Sequence, residues 1–210
     1  MRIFDISVAV SGRITSWPGS PLPRFTKTLS LKNGDEANNT KLTMSVHTGT
    51  HIDAPSHFIS GGQTIDQLPI DIFFGRVFVA YLPKVKEITA QDLENLNLPK
   101  GTVRLLFRTS NSLLWEKGIS RFRKKYVGLN AGAARWLVKR RIKLVGVDYL
   151  SVAKFDEAVL AHQILLKAGM ALLEGINLSK VKPGFYQLIC LPVKIFNCEA
   201  APTRAILIEK

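Results

Sequence analysis

The spacing of apolar residues changes character near Ile88, and this change limits the fold more than any other feature of the chain. Before it, apolar side chains recur at every second position, which predicts strands over 2–8, 25–31, 41–47 and 76–82. In the third of these, Leu42, Met44 and Val46 share one face. After Ile88, helical and extended patterns alternate. Thr89 and Asp92 have the spacing of a capping box ahead of a short helix, and a strand follows at 102–108. Asn130 is placed to cap a helix reaching about Arg140, and a wholly apolar strand at 144–147 ends at Asp148. Asp156 is placed to cap the next helix and Gly169 to close it, with a strand returning at 170–174. Two more strands are expected at 186–191 and 204–209. A β-rich first part followed by helix and strand in alternation reads as an α/β domain on a mixed sheet.

The 210 residues, 46% of them apolar, suffice for one full hydrophobic core, so a single domain over 1–210 is expected. No apolar run approaches the roughly 20 residues that span a bilayer. The first eight residues carry Asp5 and alternate in polarity, unlike a signal peptide. Cys190 and Cys198 form no C-x-x-C motif and no disulfide framework, a usage that suits a reducing cytoplasm. The net charge of +13 gathers between Lys117 and Lys143, where ten basic residues occur without an acidic one. No nucleic-acid motif accompanies them, so a solvated basic face is expected, with nucleic-acid contact as the alternative.

Three of the four histidines lie within eleven residues: His47, His51 and His57, with Asp53 among them. Imidazole and carboxylate together are typical ligands for zinc and also suit manganese or iron. A metalloprotease helix would put His47 and His51 on one face, yet Gly49, the β-branched Thr48, Thr50 and Ile52, and Pro55 all disfavour a helix. In a straight strand the two backbones would stand about 13 Å apart. Metal bonds of about 2 Å therefore require the chain to curl, and Gly49 is the residue that can bend. His57, beyond the tightest ligands, is a fourth ligand or a proton-transfer group, since free histidine titrates near neutral pH.

At these residues the chain resembles the cyclase family, which includes bacterial kynurenine formamidase and isatin hydrolase. The family signature, His-x-Gly-Thr-His-x-Asp-x-Pro-x-His-Phe, is matched at every fixed position from His47 to Phe58. The likeness continues at Trp17-Pro18-Gly19, Phe107-Arg108-Thr109, Val145-Gly146-Val147-Asp148 with Ser151-Val152, and Glu174-Gly175 with Leu178. It implies a three-layer β/β/α swivelling domain, usually in a dimer or larger oligomer. It also implies two zinc ions, one held by His47, His51 and Asp53 and the other by Asp53 and His162, with Glu174 bridging both. His57 would be the acid/base residue and Trp17 would line the substrate pocket. On the residues alone, His162 lies beside Ala158, Leu165 and Leu166 on an inward helix face, and Glu174 ends an apolar strand where a charge demands a partner. A metal would satisfy both. The loop Asn197-Cys198-Glu199-Ala200 departs from the Gly/Asp-rich turn of many relatives.

The expected activity is metal-dependent amide hydrolysis, in its most specific form the arylformamidase reaction on N-formylkynurenine, a step of tryptophan catabolism. Its cofactors would be two divalent ions, zinc or else manganese, and its partners a small-molecule amide and further copies of the chain, with no membrane. The nearest alternative is isatin hydrolase or another cyclic-amide hydrolase. An alternative of another class is a basic nucleic-acid-binding protein with a structural metal.

Overall fold

A computed structural model describes residues 1–119 and 121–209. Along the chain run β1 (Arg2–Asp5), β2 (Arg24–Leu29), β3 (Asn39–Thr43), β4 (His51–Asp53), β5 (Phe74–Leu82), α1 (Ala90–Asn95), β6 (Arg104–Thr109) and α2 (Ser112–Glu116). They are followed by α3 (Ala131–Lys139), β7 (Leu144–Val147), α4 (Ala158–Lys167), β8 (Ala171–Glu174), β9 (Gly184–Ile189), β10 (Ala200–Pro202) and β11 (Ile206–Glu209). Nine strands form one mixed sheet in the order β1-β11-β9-β5-β6-β7-β8-β4-β10. The central strands β5, β6, β7 and β8 are parallel and joined through helices, whereas the outer pairs are antiparallel.

Both faces are covered at β7, at 105–107 of β6 and at 171–173 of β8, which is why these stretches read as continuous apolar runs. Leu105, Phe107, Val145, Val147 and Leu172 point to one face and pack with Leu93 of α1, Leu137 of α3 and Leu165 of α4. On the other face Leu106, Leu144 and Leu173 meet a cluster without α-helical members. That cluster unites Phe4, Leu188 and Leu207 from one end of the sheet with Ile52 and Ala201 from the other. The sheet must therefore curl until its two ends share a core, and a bridge between Ser7 and Ile176 joins the β1 end to the turn after β8. The result is the expected β/β/α layering, with one core between sheet halves and one beneath the helices.

The capping signals mostly hold. The Thr89 hydroxyl accepts from Asp92 N at 3.2 Å while the Asp92 carboxylate accepts from Thr89 N at 2.8 Å, and Asn130 Oδ1 accepts from Ala133 N at 2.9 Å. Gly169, with φ +74°, ends α4. Asp156 does not cap α4, because a 3-10 turn over Phe155–Glu157 starts the α-helix later. The neighbouring Glu157 instead accepts from Ala131 N at the start of α3. A second correction concerns 41–47: β3 ends at Thr43 and, among the described residues, pairs only with β2 in a separate hairpin, where Leu42 is exposed opposite Phe25. Period-two alternation marks an apolar face but does not say that the same chain covers it. The short strands β4 and β10 lack the length to show a period and were not expected from sequence. All ten basic side chains from Lys117 to Lys143 are exposed. Among the described residues, no helix is long and apolar enough to cross a membrane.

Candidate metal centre

The site is assembled by strand pairing. Gly49 has φ +72° and makes the bend required of it, after which His51, Ile52 and Asp53 enter β4. β4 pairs antiparallel with β8 in a register that sets His51 opposite Glu174. On the other edge of β4, β10 sets Ala200 opposite Asp53. Thr50 pins the approach: its hydroxyl donates to the Gly175 carbonyl at 2.5 Å and accepts from Val8 N at 2.9 Å. Helix α4 supplies His162 from below, its Nδ1 held 2.6 Å from the Ala158 carbonyl.

These elements bring all five expected ligands together. His47 Nδ1 lies 3.0 Å and His51 Nε2 3.3 Å from Asp53 Oδ1, and His51 Nε2 is 3.5 Å from Glu174 Oε2. His162 Nε2 is 3.1 Å from Glu174 Oε1 and 4.0 Å from Asp53 Oδ2. Two sets of donor atoms each close to within 4.8 Å: His47, His51 and Asp53, and Asp53, His162 and Glu174. Asp53 belongs to both, and Glu174 turns one oxygen toward His51 and the other toward His162.

The residues fit divalent metal. Among the described residues, His51 Nε2 and both Asp53 oxygens are buried without a hydrogen-bond partner. Buried polar groups are rarely left so, and a carboxylate in this state calls for a cation. The imidazole and carboxylate donors suit zinc or manganese. Burial alone would raise the Asp53 carboxyl, yet His47 and His51 beside it hold it well below the usual range. Burial likewise opposes charge on His51, but Asp53 and Glu174 win and push it up to about 10. The cage thus has a strong demand for positive charge at its centre.

His57 stands apart from both donor sets. Its ring centroid is 4.2 Å from that of His47 and 6.3 Å from that of His162, and burial lowers its pKa, so the imidazole is neutral at pH 7. It borders a cavity of about 320 Å³ that also touches Trp17, His47, Phe58, Leu150, Val159 and Glu174. Trp17 borders this cavity, stacked on Phe155 at 5.4 Å and edge-on to Phe122 at 5.1 Å. Phe58, tilted 4.8 Å from His162, forms part of the apolar wall.

Two further contributors, Asp148 and Glu199, carry no site role in the sequence reading. Asp148, wholly buried, accepts from the Thr109 amide at 2.8 Å and hydroxyl at 2.7 Å, and from both the amide and hydroxyl of Ser112. It fixes the turn leading to Val152, whose amide donates to Glu174 Oε1 at 2.8 Å. Glu199 immediately precedes β10, with Oε1 3.3 Å from His47 Nε2. It was visible only as an acidic residue in a loop, because nothing local signals that β10 will dock beside β4.

A family model described as "Putative cyclase" matches residues 4–154. The chain is 42% identical to "Cyclase-like protein 3" of Oryza sativa subsp. japonica, over 99% of this chain and 80% of that protein. It is 36% identical to "Kynurenine formamidase" of Bacillus cereus, over 97% and 95%. A solved structure described as a "predicted metal-dependent hydrolase from Bacillus stearothermophilus" has a TM-score of 0.84 and 29% identity, covering 98% of this chain and 97% of that one. "Isatin hydrolase A" from Labrenzia aggregata, bound to benzyl benzoate, also reaches 0.84 at 25% identity, covering 100% and 94%. A sequence match across most of the chain, a fold match across nearly all of it and a buried set of metal-competent donors agree: this chain belongs to the cyclase family of metal-dependent hydrolases.

Proposed function

We propose that the chain is a metal-dependent amide hydrolase whose most specific reaction is that of an arylformamidase, converting N-formylkynurenine to kynurenine and formate. The observation that carries this reading is the pair of donor triads sharing Asp53 at the floor of a cavity walled by Trp17 and Phe58. His47, His51 and Asp53 would hold one divalent ion, and Asp53, His162 and Glu174 the second, zinc or else manganese. The chemistry such ions supply when bound is a lowered pKa for water and a polarised scissile carbonyl. The chain's own residues do the rest. Neutral His57 accepts a proton at its imidazole nitrogen and returns it to the leaving aniline nitrogen. Trp17, Phe58, Leu150 and Val159 hold an aryl ring and exclude water around it. The similarity to a kynurenine formamidase favours the formamide, and the similarity to isatin hydrolase makes a cyclic aryl amide the second reading.

The β2–β3 hairpin supports a homo-oligomer as part of this proposal. Phe25, Leu29 and Leu42 stand exposed on it, and a lone two-stranded hairpin gains little stability without cover.

The test is turnover of N-formylkynurenine and of isatin by protein loaded with zinc or with manganese. Higher kcat/KM for the formamide is expected, with loss of activity on chelation. A reversed preference supports the cyclic-amide reading, and no turnover of either by protein shown to contain metal would overturn both.

A further inference from the structure

In a metal-binding histidine, the nitrogen that faces the ion is set by the partner of the other nitrogen. His51 Nδ1 is 2.9 Å from the Gly49 carbonyl and His162 Nδ1 is 2.6 Å from the Ala158 carbonyl. A carbonyl only accepts, so each Nδ1 carries the proton and each Nε2 is left as the lone-pair donor. Both Nε2 atoms face the carboxylates of the cage.

His47 is oriented the other way round. Its Nδ1 faces the shared Asp53 at 3.0 Å, and its Nε2 faces Glu199 Oε1 at 3.3 Å. Glu199 is held there by its own backbone: its carbonyl accepts from Ala54 N at 2.9 Å, directly beyond β4, and Ala200 pairs with Asp53. Its second oxygen accepts from the Cys198 thiol at 3.4 Å, which leaves Oε1 for the imidazole.

We infer that Glu199 is a positioning residue that accepts the Nε2 proton of His47 and so fixes the tautomer offering Nδ1 to the metal. His47 is then the one Nδ1 ligand beside two Nε2 ligands. A carboxylate partner makes that imidazole a stronger base than a backbone carbonyl would, and removing such a partner typically costs about 10- to 100-fold in metal affinity. Glu199 itself is half-exposed and outside both donor triads, so its substitution leaves the ligand set intact.

This inference rests on the reading that the triads hold ions, and the test separates the two. Zinc affinity of the wild type, Glu199→Gln and Glu199→Ala is measured by competition with a chromophoric chelator, and histidine tautomers are read from long-range proton–nitrogen NMR correlations of the zinc-loaded proteins. Glu199→Ala should bind the zinc held by His47, His51 and Asp53 about 10- to 100-fold less tightly. Glu199→Gln, whose amide oxygen still accepts, should recover most of that loss. The wild-type spectrum should show His47 protonated at Nε2 and His51 and His162 protonated at Nδ1. A wild-type His47 protonated at Nδ1, an alanine variant with unchanged affinity, or one that loses a full equivalent of zinc as a direct ligand would, overturns the inference alone. A wild type that takes up no zinc overturns the metal reading as well.

Discussion

Replacing Gly175 with alanine should damage the centre without altering any side chain in it. Gly175 follows Glu174 with φ +66°, and a Cβ at this position would collide with the Gly49 carbonyl oxygen and lie 2.6 Å from its carbon. Ordinary contact begins near 3.4 Å, so the turn after β8 and the bend before β4 would have to part by at least about 0.8 Å in a close-packed interior. The left-handed backbone costs an L-residue about 1–2 kcal/mol. Overpacking against rigid backbone costs about 1–3 kcal/mol more. A loss of roughly 2–5 kcal/mol is expected. The same movement separates Glu174 from His51, and a displacement near 1 Å is enough for about a 10²-fold fall in turnover. Gly169→Ala is the control. Gly169 has φ +74° and nothing within 4 Å of the place a methyl group would take, so it should show only the backbone cost of about 1–2 kcal/mol and unchanged metal affinity. Urea unfolding of metal-free protein and chelator competition for zinc measure the two quantities. Equal destabilisation and equal zinc affinity in the two variants would refute the steric argument.

His57→Asn should keep its metal while turnover falls about 10²- to 10⁴-fold, whereas His51→Ala should lose metal; if both shed metal alike in elemental analysis, His57 is a ligand. Metal-free protein should lose stability above pH 6.5. The folded pKa of His51 is raised to about 10 by Asp53 and Glu174 against the opposing effect of burial, so its contribution is complete below 6.5 and disappears as pH climbs through 10. Zinc needs the same imidazole deprotonated, so the extra stability conferred by zinc should widen over that interval. Urea midpoints with and without zinc across pH 6 to 9 check this, and parallel curves would contradict it.

The pattern of the chain determined a good deal by itself. Helix starts at Thr89 and Asn130 were legible because a cap is a local contact between residues three apart. The wholly apolar run of β7, and the apolar stretch that leads to Glu174 in β8, read as buried strands. The spacing of His47, His51 and Asp53, together with a glycine that can bend, points to a metal site. Only the tertiary structure decided how that site closes. The register of β4 against β8 sets Glu174 opposite His51, α4 raises His162 from beneath, and β10 brings Glu199 behind His47. Such pairings join segments far apart in the chain, and their register depends on which faces the curled sheet buries, a property of the whole core that no local window contains. The same reason left Leu42 exposed: alternation in β3 defined an apolar face, and only packing could say that the face lies outside the core.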